Sequence, residues 1–341
     1  VKYRKDKLAG LLKLLRRLVD KSNVLGETIC FLPGKLVGYD GMVSMQIPFD
    51  TDLSCGIEPD KLLSVLNGVK DSEVDLSLRD GVLKLSSADT KAELKVNTDI
   101  EMFEVFDTSS IKFKPLPRDL PDAMYLVSFS TSRDITNKVF SCVYVDGDML
   151  FATDNFRVSK YTLAEPVDAS FLIPAPSIVK LISFSKEFPL KGFTWDGAWI
   201  HFTGKGGAMF SCRLFLDEEF PKRDAILPLF EIEGKEFCFP PEVKEAVEVV
   251  SFLVKDQFEL DRIVSITIRK DKVICRAERE GEWVEKIVPF QGNEEFQFLC
   301  NPTFMIEALG RAFEVVVGER SILFRSQSGS FEHLVALCIE E

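Results

Sequence analysis

A proline that opens a short amphipathic helix, followed by alternating strands, occurs three times in this chain. Pro59 precedes Asp60-Lys61-Leu62-Leu63-Ser64-Val65-Leu66, Pro176 precedes Ser177-Ile178-Val179-Lys180-Leu181-Ile182, and Pro302 precedes Thr303-Phe304-Met305-Ile306-Glu307-Ala308-Leu309. Proline suits the first helical turn, where its missing N–H would have no intrahelical partner anyway. The copies are spaced by about one domain length, far above the roughly 20–50 residues of a solenoid repeat. Three similar modules are expected, at residues 1–116, 117–229 and 230–341. The 341-residue length and 46% hydrophobic content allow a core in each.

Each module divides into two halves, and each half reads as a helix plus strands. In the first, Ile29 to Pro48 and Glu73 to Val96 alternate like strands, broken at Pro33-Gly34, Asp40-Gly41 and Asp80-Gly81. In the second, a weaker helix near Asp122 to Ser132 leads into strands turning at Asp146-Gly147. The Pro176 helix leads into strands turning at Asp196-Gly197. In the third, Pro241 to Val254 and the Pro302 helix play the same parts. The expected class is α+β, with helices gathered on one side of the sheets. Open edge strands at the two ends of such a chain are a liability, and pairing with a second copy, closing head to tail into a ring, would remove it.

Charge is distributed unevenly. The chain carries a net charge of −12, which argues against nucleic acid as a partner of the average surface. Residues 1–24 run the other way, with eight lysines and arginines against Asp6 and Asp20. Leu8, Leu11, Leu12, Leu15 and Val19 follow the spacing of a buried helical stripe, while Lys5, Lys13, Arg16 and Arg17 fall on the opposite side. A solvated surface helix and an organellar presequence are the other readings of such a stretch.

No run reaches the roughly 18 apolar residues of a membrane span and no signal-peptide layout is present, so a soluble cytoplasmic protein with no membrane partner is expected. Eight scattered cysteines without a C-x-x-C pair read as reduced core residues. His201 and His333 are the only histidines and stand in no triad pattern. Asp146-Gly147-Asp148 lacks the remaining positions of a calcium loop, and Gly204-Lys205-Gly206-Gly207 lacks a phosphate-loop frame. No catalytic residue, cofactor or metal is expected. A repeat-built structural or assembly protein, and a β-rich hydrolase whose carboxylate pair is not visible, remain as alternatives.

Several segments, in order, resemble the bacterial type of DNA polymerase sliding clamp. Leu150-Phe151-Ala152-Thr153-Asp154-Asn155-Phe156-Arg157-Val158 is similar to that family's Ala-Thr-Asp-Gly-His-Arg-Leu signature. Phe171-Leu172-Ile173-Pro174 resembles its passage from strand to helix in the middle domain. Ser211-Cys212-Arg213-Leu214, then Glu219-Phe220-Pro221 and Leu227-Pro228, resembles its Ser-Lys-Leu strand running into Arg-Phe-Pro and Leu-Pro. Leu334-Val335-Ala336-Leu337-Cys338-Ile339 stands in the place of its Val-Val-Met-Pro-Met tail. The likeness spans the chain and is weakest in the first module.

The resemblance implies a ring-shaped homodimer of three-domain subunits around duplex DNA, holding it without sequence preference, and tethering a DNA polymerase and a clamp loader through short linear peptides. It implies a basic pore lining, for which the candidates are Lys5, Lys13, Arg16, Arg17, Lys61, Lys70, Arg133, Lys180, Lys186, Lys244 and Arg311. It also implies a peptide pocket, carried over as Thr153, Arg157 and Val158, Pro228, and Val335, Leu337 and Ile339, with Val139 added. There the apolar side chains would form the pocket, and the threonine hydroxyl and the arginine would orient the peptide. Asn155-Phe156 replaces the family's Gly-His, and Leu337-Cys338-Ile339-Glu340-Glu341 replaces its ending, so the accepted peptides should differ; a phage- or plasmid-encoded member would fit such changes.

Overall fold

The computed structural model describes residues 1–19, 28–98, 100, 112–134, 136–215 and 219–339. Lys21 of the basic amino-terminal stretch and the terminal Glu340 and Glu341 lie outside the described residues. The α-helices are α1 (Lys5–Leu15), α2 (Pro59–Gly68), α3 (Leu120–Val127), α4 (Ala175–Glu187), α5 (Arg223–Ile226), α6 (Glu242–Ser251) and α7 (Pro302–Leu309). All three repeat prolines sit in a first turn, Pro59 and Pro302 as the opening residue and Pro176 as the second. The Asn301 side chain caps α7 by accepting from the Thr303 N–H at 2.9 Å.

The chain forms two compact units, Val1–Pro121 with Pro176–Leu216, and Asp122–Ala175 with Asp217–Glu341. The physical reason is sheet continuity. In the first unit an eight-stranded antiparallel sheet runs in the order Cys55–Ile57, Ile29–Leu32, Lys35–Tyr39, Val43–Pro48, Met209–Arg213, Trp199–Gly204, Leu190–Trp195, Lys114–Pro115. In the second unit the order is Ser170–Pro174, Cys142–Asp146, Met149–Thr153, Arg157–Thr162, Phe331–Ala336, Ser321–Arg325, Glu314–Val317, Lys235–Cys238. Strands from the middle third of the sequence therefore complete both sheets, and each sheet has a seam where distant segments meet.

The first unit also holds a four-stranded sheet, ordered Lys2–Arg4, Glu73–Arg79, Val82–Ser86, Lys91–Lys95. Its α1 buries Leu8, Leu12 and Leu15 completely and Leu14 nearly so, with Leu11 half-buried. The helix can come close because the neighbouring strand carries Gly38: a Cβ there would stand 3.2 Å from methyls of Leu15 and Leu18. The hairpins turn where Asp-Gly pairs place them, with Gly41, Gly81, Gly147 and Gly197 all at positive φ.

The second unit's four-stranded sheet is ordered Glu282–Pro289, Lys272–Arg279, Val264–Ile268, Phe296–Cys300. Over it α6 buries Val243, Ala246, Val247 and Val250, the i, i+3, i+4, i+7 stripe of a half-buried helix, and α7 adds Phe304, Met305, Ala308 and Leu309. Each fully buried valine contributes roughly 1.5–3 kcal/mol. Six cysteines are buried, Cys238 is exposed and Cys338 half-buried. Burial pushes the Cys55 and Cys275 thiols up to about 11 and about 12, so they stay protonated.

Candidate nucleic-acid interface and peptide cavity

The eleven cations selected from the sequence sort into those with partners and those without. Lys5 donates to the Val69 carbonyl at 2.9 Å, Arg16 pairs with Asp60 at 2.6 Å, and Lys61 with Glu58 at 2.5 Å. Lys180 is paired with Asp40, and Arg17 donates to the Ser183 hydroxyl. In the second unit Arg133 bridges Glu259 and Glu307 at 3.1 and 3.2 Å, and Lys244 stands 3.8 Å from Glu248. Arg311 donates to the Glu307 carbonyl and lies 3.7 Å over the Phe129 ring. Lys13, Lys70 and Lys186 are exposed, and among the described residues their ammonium groups have no ion-pair or hydrogen-bond partner.

The apolar cavity of the second unit has a volume of about 320 Å³. One turn, Thr153 to Val158, supplies five of its lining residues, all but Asp154. The Asp154 carboxylate accepts from the Phe156 and Arg157 N–H groups, both at 3.1 Å, and Asn155 takes the left-handed conformation at φ 76°. Asparagine tolerates that region at small cost, so it can stand where the signature has glycine. Burial pushes the Asp154 carboxyl up and the adjoining Arg157 guanidinium opposes this. Phe156, 44% exposed, lies stacked near Phe304 at a centroid distance of 6.4 Å.

The polar residues expected to orient a peptide have other tasks. The Thr153 hydroxyl donates to the Arg157 carbonyl at 2.7 Å and accepts from the Asn155 N–H at 3.1 Å. The Arg157 side chain is 3% exposed, donates to Asp154 at 2.8 Å, pairs with Glu307, and lies over the Phe304 ring at 4.5 Å. Both line the cavity, as Val158 does, but their polar atoms are consumed in holding the turn. Among the described residues, the polar side chains of the lining without a hydrogen-bond partner are those of Asn155 and Ser321.

The tail contributes different residues from those selected. Leu334 and Ala336 line the cavity. Val335, 1% exposed, points to the other face of the strand and belongs to the hydrophobic core. A strand alternates its side chains, so a one-residue change of register exchanges the two faces. Leu337 and Ile339 instead line a separate depression of about 850 Å³ with Phe296, Phe298 and Val317. Pro228 is exposed and Val139 half-buried, and neither lines the cavity; their neighbours Ile226, Leu229 and Phe140 do. Leu229 is 49% exposed, which only the structure shows; its place directly after Pro228 was the available sequence signal.

No family model and no curated protein matches this sequence. Solved structures match over its whole length. The beta subunit of DNA polymerase from Streptococcus pyogenes is 17% identical, with 99% of each chain covered and a TM-score of 0.84. A sliding clamp, DNA polymerase III subunit beta, from Bartonella birtlesii bound to griselimycin is 17% identical, with 100% of this chain and 99% of that chain covered and a TM-score of 0.84. The Helicobacter pylori beta clamp bound to a DNA ligase peptide is 18% identical, with both chains covered fully and a TM-score of 0.80. The repeated sheets and helices thus define an α+β clamp fold. More particularly, the chain has the fold of the bacterial sliding clamps, the beta subunits of the replicative polymerase.

Proposed function

We propose that this protein is a DNA sliding clamp, a non-catalytic ring that encircles duplex DNA and tethers a polymerase and other peptide-bearing partners. The observation that carries the reading is the whole-chain match to beta clamps at TM-scores of 0.80 to 0.84. In this reading the repeat marks three modules, 1–116, 117–229 and 230–341; strands lying between Cys142 and Arg213 belong to both eight-stranded sheets. Lys91–Lys95 and Glu282–Pro289 each end a four-stranded sheet with an unpaired edge among the described residues. Trp283 and Ile287 on the second edge are 57% and 51% exposed. Pairing of the first edge with the second edge of another copy, repeated once, closes a homodimer and covers both of these edges.

The partner site in this reading is the apolar cavity around Thr153–Val158. Solved clamps hold griselimycin and a DNA ligase peptide. Here an apolar peptide side chain would enter between Phe156 and Leu229, with the Asn155 and Ser321 side chains offering hydrogen bonds.

Retention on circular and linear duplexes tests the function. With a competent loader, a ring stays on a closed circle and is lost after a single cut, because topology rather than affinity holds it. Equal retention on both substrates, or on neither, would overturn the reading. A solution mass near twice the 38.5 kDa of the chain is the accompanying expectation.

A further inference from the structure

We infer that the depression of about 850 Å³ in the second unit is a docking site for an extended peptide. The peptide adds to the strand Phe296–Cys300 through its main chain and carries lysine or arginine beside aliphatic side chains. This site shares no lining residue with the apolar cavity around Thr153–Val158, and it does not depend on the sliding-clamp reading.

The internal repeat indicates what such a strand edge holds. In the first unit Asn97, two residues beyond the strand Lys91–Lys95, exchanges hydrogen bonds of 2.7 and 2.8 Å with Gly56 of the edge strand Cys55–Ile57. Past that bridge Ile100 packs against the buried Cys30 and Val37, beside Leu32 and Tyr39. An extended segment of the chain itself therefore covers that edge. The second unit begins the same construction. Cys338, two residues beyond the strand Phe331–Ala336, donates to the Leu299 carbonyl of the edge strand Phe296–Cys300 at 2.9 Å. The next residue, Ile339, is 74% exposed and stands in the lining of the depression.

Main-chain groups are available there for pairing. Leu299 turns its carbonyl to Cys338, and in an antiparallel strand the next residue but one turns the same way, so Gln297 presents its N–H and C=O on the open edge. Among the described residues neither is bonded outside its own sheet. Leu299, Val317, Leu337 and Ile339 supply apolar contacts alongside, and Gly234 and Gly318 add only backbone to the lining. Of the charged lining residues, Lys235 is held by Glu294 at 2.8 Å and lies 4.7 Å from the centre of the Phe296 ring. Glu233 and Glu319 are exposed and have no ion-pair partner among the described residues, and Arg320, next to Glu319, is outside the lining. Free carboxylates beside an unpaired strand edge favour a cationic segment and repel an acidic one.

Anisotropy of a fluorescein-labelled Lys-Val-Lys-Ile-Arg-Val peptide, titrated with the full chain, tests this. The peptide is expected to bind, and its counterpart Glu-Val-Glu-Ile-Glu-Val is not. N-methylation of every backbone amide keeps the charge but removes the donors, and is expected to weaken binding by about tenfold or more. Glu233→Lys with Glu319→Lys is expected to weaken the unmethylated peptide by about tenfold. Hydrogen exchange locates the site: the peptide should slow exchange across Phe296–Cys300 and leave Thr153–Val158 unchanged. Absence of binding, equal affinity of the methylated peptide, or equal affinity of the doubly substituted protein would each overturn the inference. Slowed exchange at Thr153–Val158 in place of Phe296–Cys300 would overturn it as well, since the peptide would then occupy the other cavity.

Discussion

The two eight-stranded sheets are each closed by a seam between distant segments, and each seam is furnished with a buried serine–histidine pair. In the first unit Val43–Pro48 meets Met209–Arg213, with Ser44 opposite Ser211. His201, one strand further on, shares a hydrogen bond of 2.8 Å with the Ser211 hydroxyl and lies 3.4 Å from the Asp196 carboxylate at the hairpin turn. In the second unit Arg157–Thr162 meets Phe331–Ala336, with Ser159 opposite His333. There Nδ1 of His333 is 2.9 Å from the Ser159 hydroxyl, and its Nε2 has no well-formed partner. These are the only two histidines in the chain. The same device is thus built twice, once with an acidic partner within reach and once sealed among Phe129, Phe324 and Phe331.

The difference appears in the charge each ring can carry. Burial lowers the His201 pKa, and Asp196 opposes the shift. Burial holds His333 well below the ordinary histidine value, with the Arg157 and Arg311 guanidinium groups pushing the same way and only the Val158 carbonyl opposing. The second seam is also tied by charge, through Lys160 paired with Glu332 and Arg157 paired with Asp154 and Glu307. The first seam leaves the Ser44 hydroxyl and the Gln46 Nε2 buried without partners. Among the described residues the second seam gathers charged pairs and leaves one buried polar atom, His333 Nε2, unpartnered, and the first leaves two.

Breaking the charged network should have the largest effect. Arg157→Leu removes the partner of Asp154 and Glu307 and is expected to cost about 3–5 kcal/mol, measured by urea denaturation. A cost below about 1 kcal/mol would mean that Arg157 does not hold the seam.

Acidification should separate the seams next. A histidine kept neutral in the fold but free to protonate near pH 6.5 when unfolded contributes stability that is present above that value and lost as pH falls below it. At pH 5 the loss from His333 should be about 2 kcal/mol, and His333→Gln should flatten the dependence between pH 7 and 5. Imidazole resonances should show His201 protonating at a higher pH than His333, since Asp196 favours its charged form. The reverse order would contradict the assigned surroundings.

The smallest effect is expected at Ser44. Its hydroxyl has no partner among the described residues, so Ser44→Ala should be neutral or stabilising by up to about 1 kcal/mol, whereas Ser159→Ala, which removes the shorter of the two serine contacts of the His333 nitrogen and the partner of the Ser130 hydroxyl, should cost about 1–3 kcal/mol. Equal costs at the two serines would erase the contrast between the seams.

Much of the fold is legible along the chain because its signals are local. Proline in a first turn, Asp-Gly at a hairpin and the leucine stripe of α1 act within a few residues, and α2, α4 and α7 begin where these signals place them. The candidate site is legible only in part. The turn from Thr153 to Val158 lines the apolar cavity together with Leu334 and Ala336, while Val335 lies in the core, because alternation alone does not tell which strand face meets a cavity. The roles of Thr153 and Arg157 are decided by partners, one of which, Glu307, lies 150 residues from Arg157.

The sequence by itself determined the threefold repeat, the α+β class, the positions of the repeat helices and the cationic outer side of α1, all of which follow from periodicity and short-range stereochemistry. Only the tertiary structure decided that the middle segment would be divided between two sheets, and that Lys13 and Lys186 have no ion-pair partner among the described residues while Lys180 is spent on Asp40, 140 residues away. Strand pairing and ion pairing join groups that are remote along the chain, and whether a charge is available depends on which carboxylate the fold brings to it.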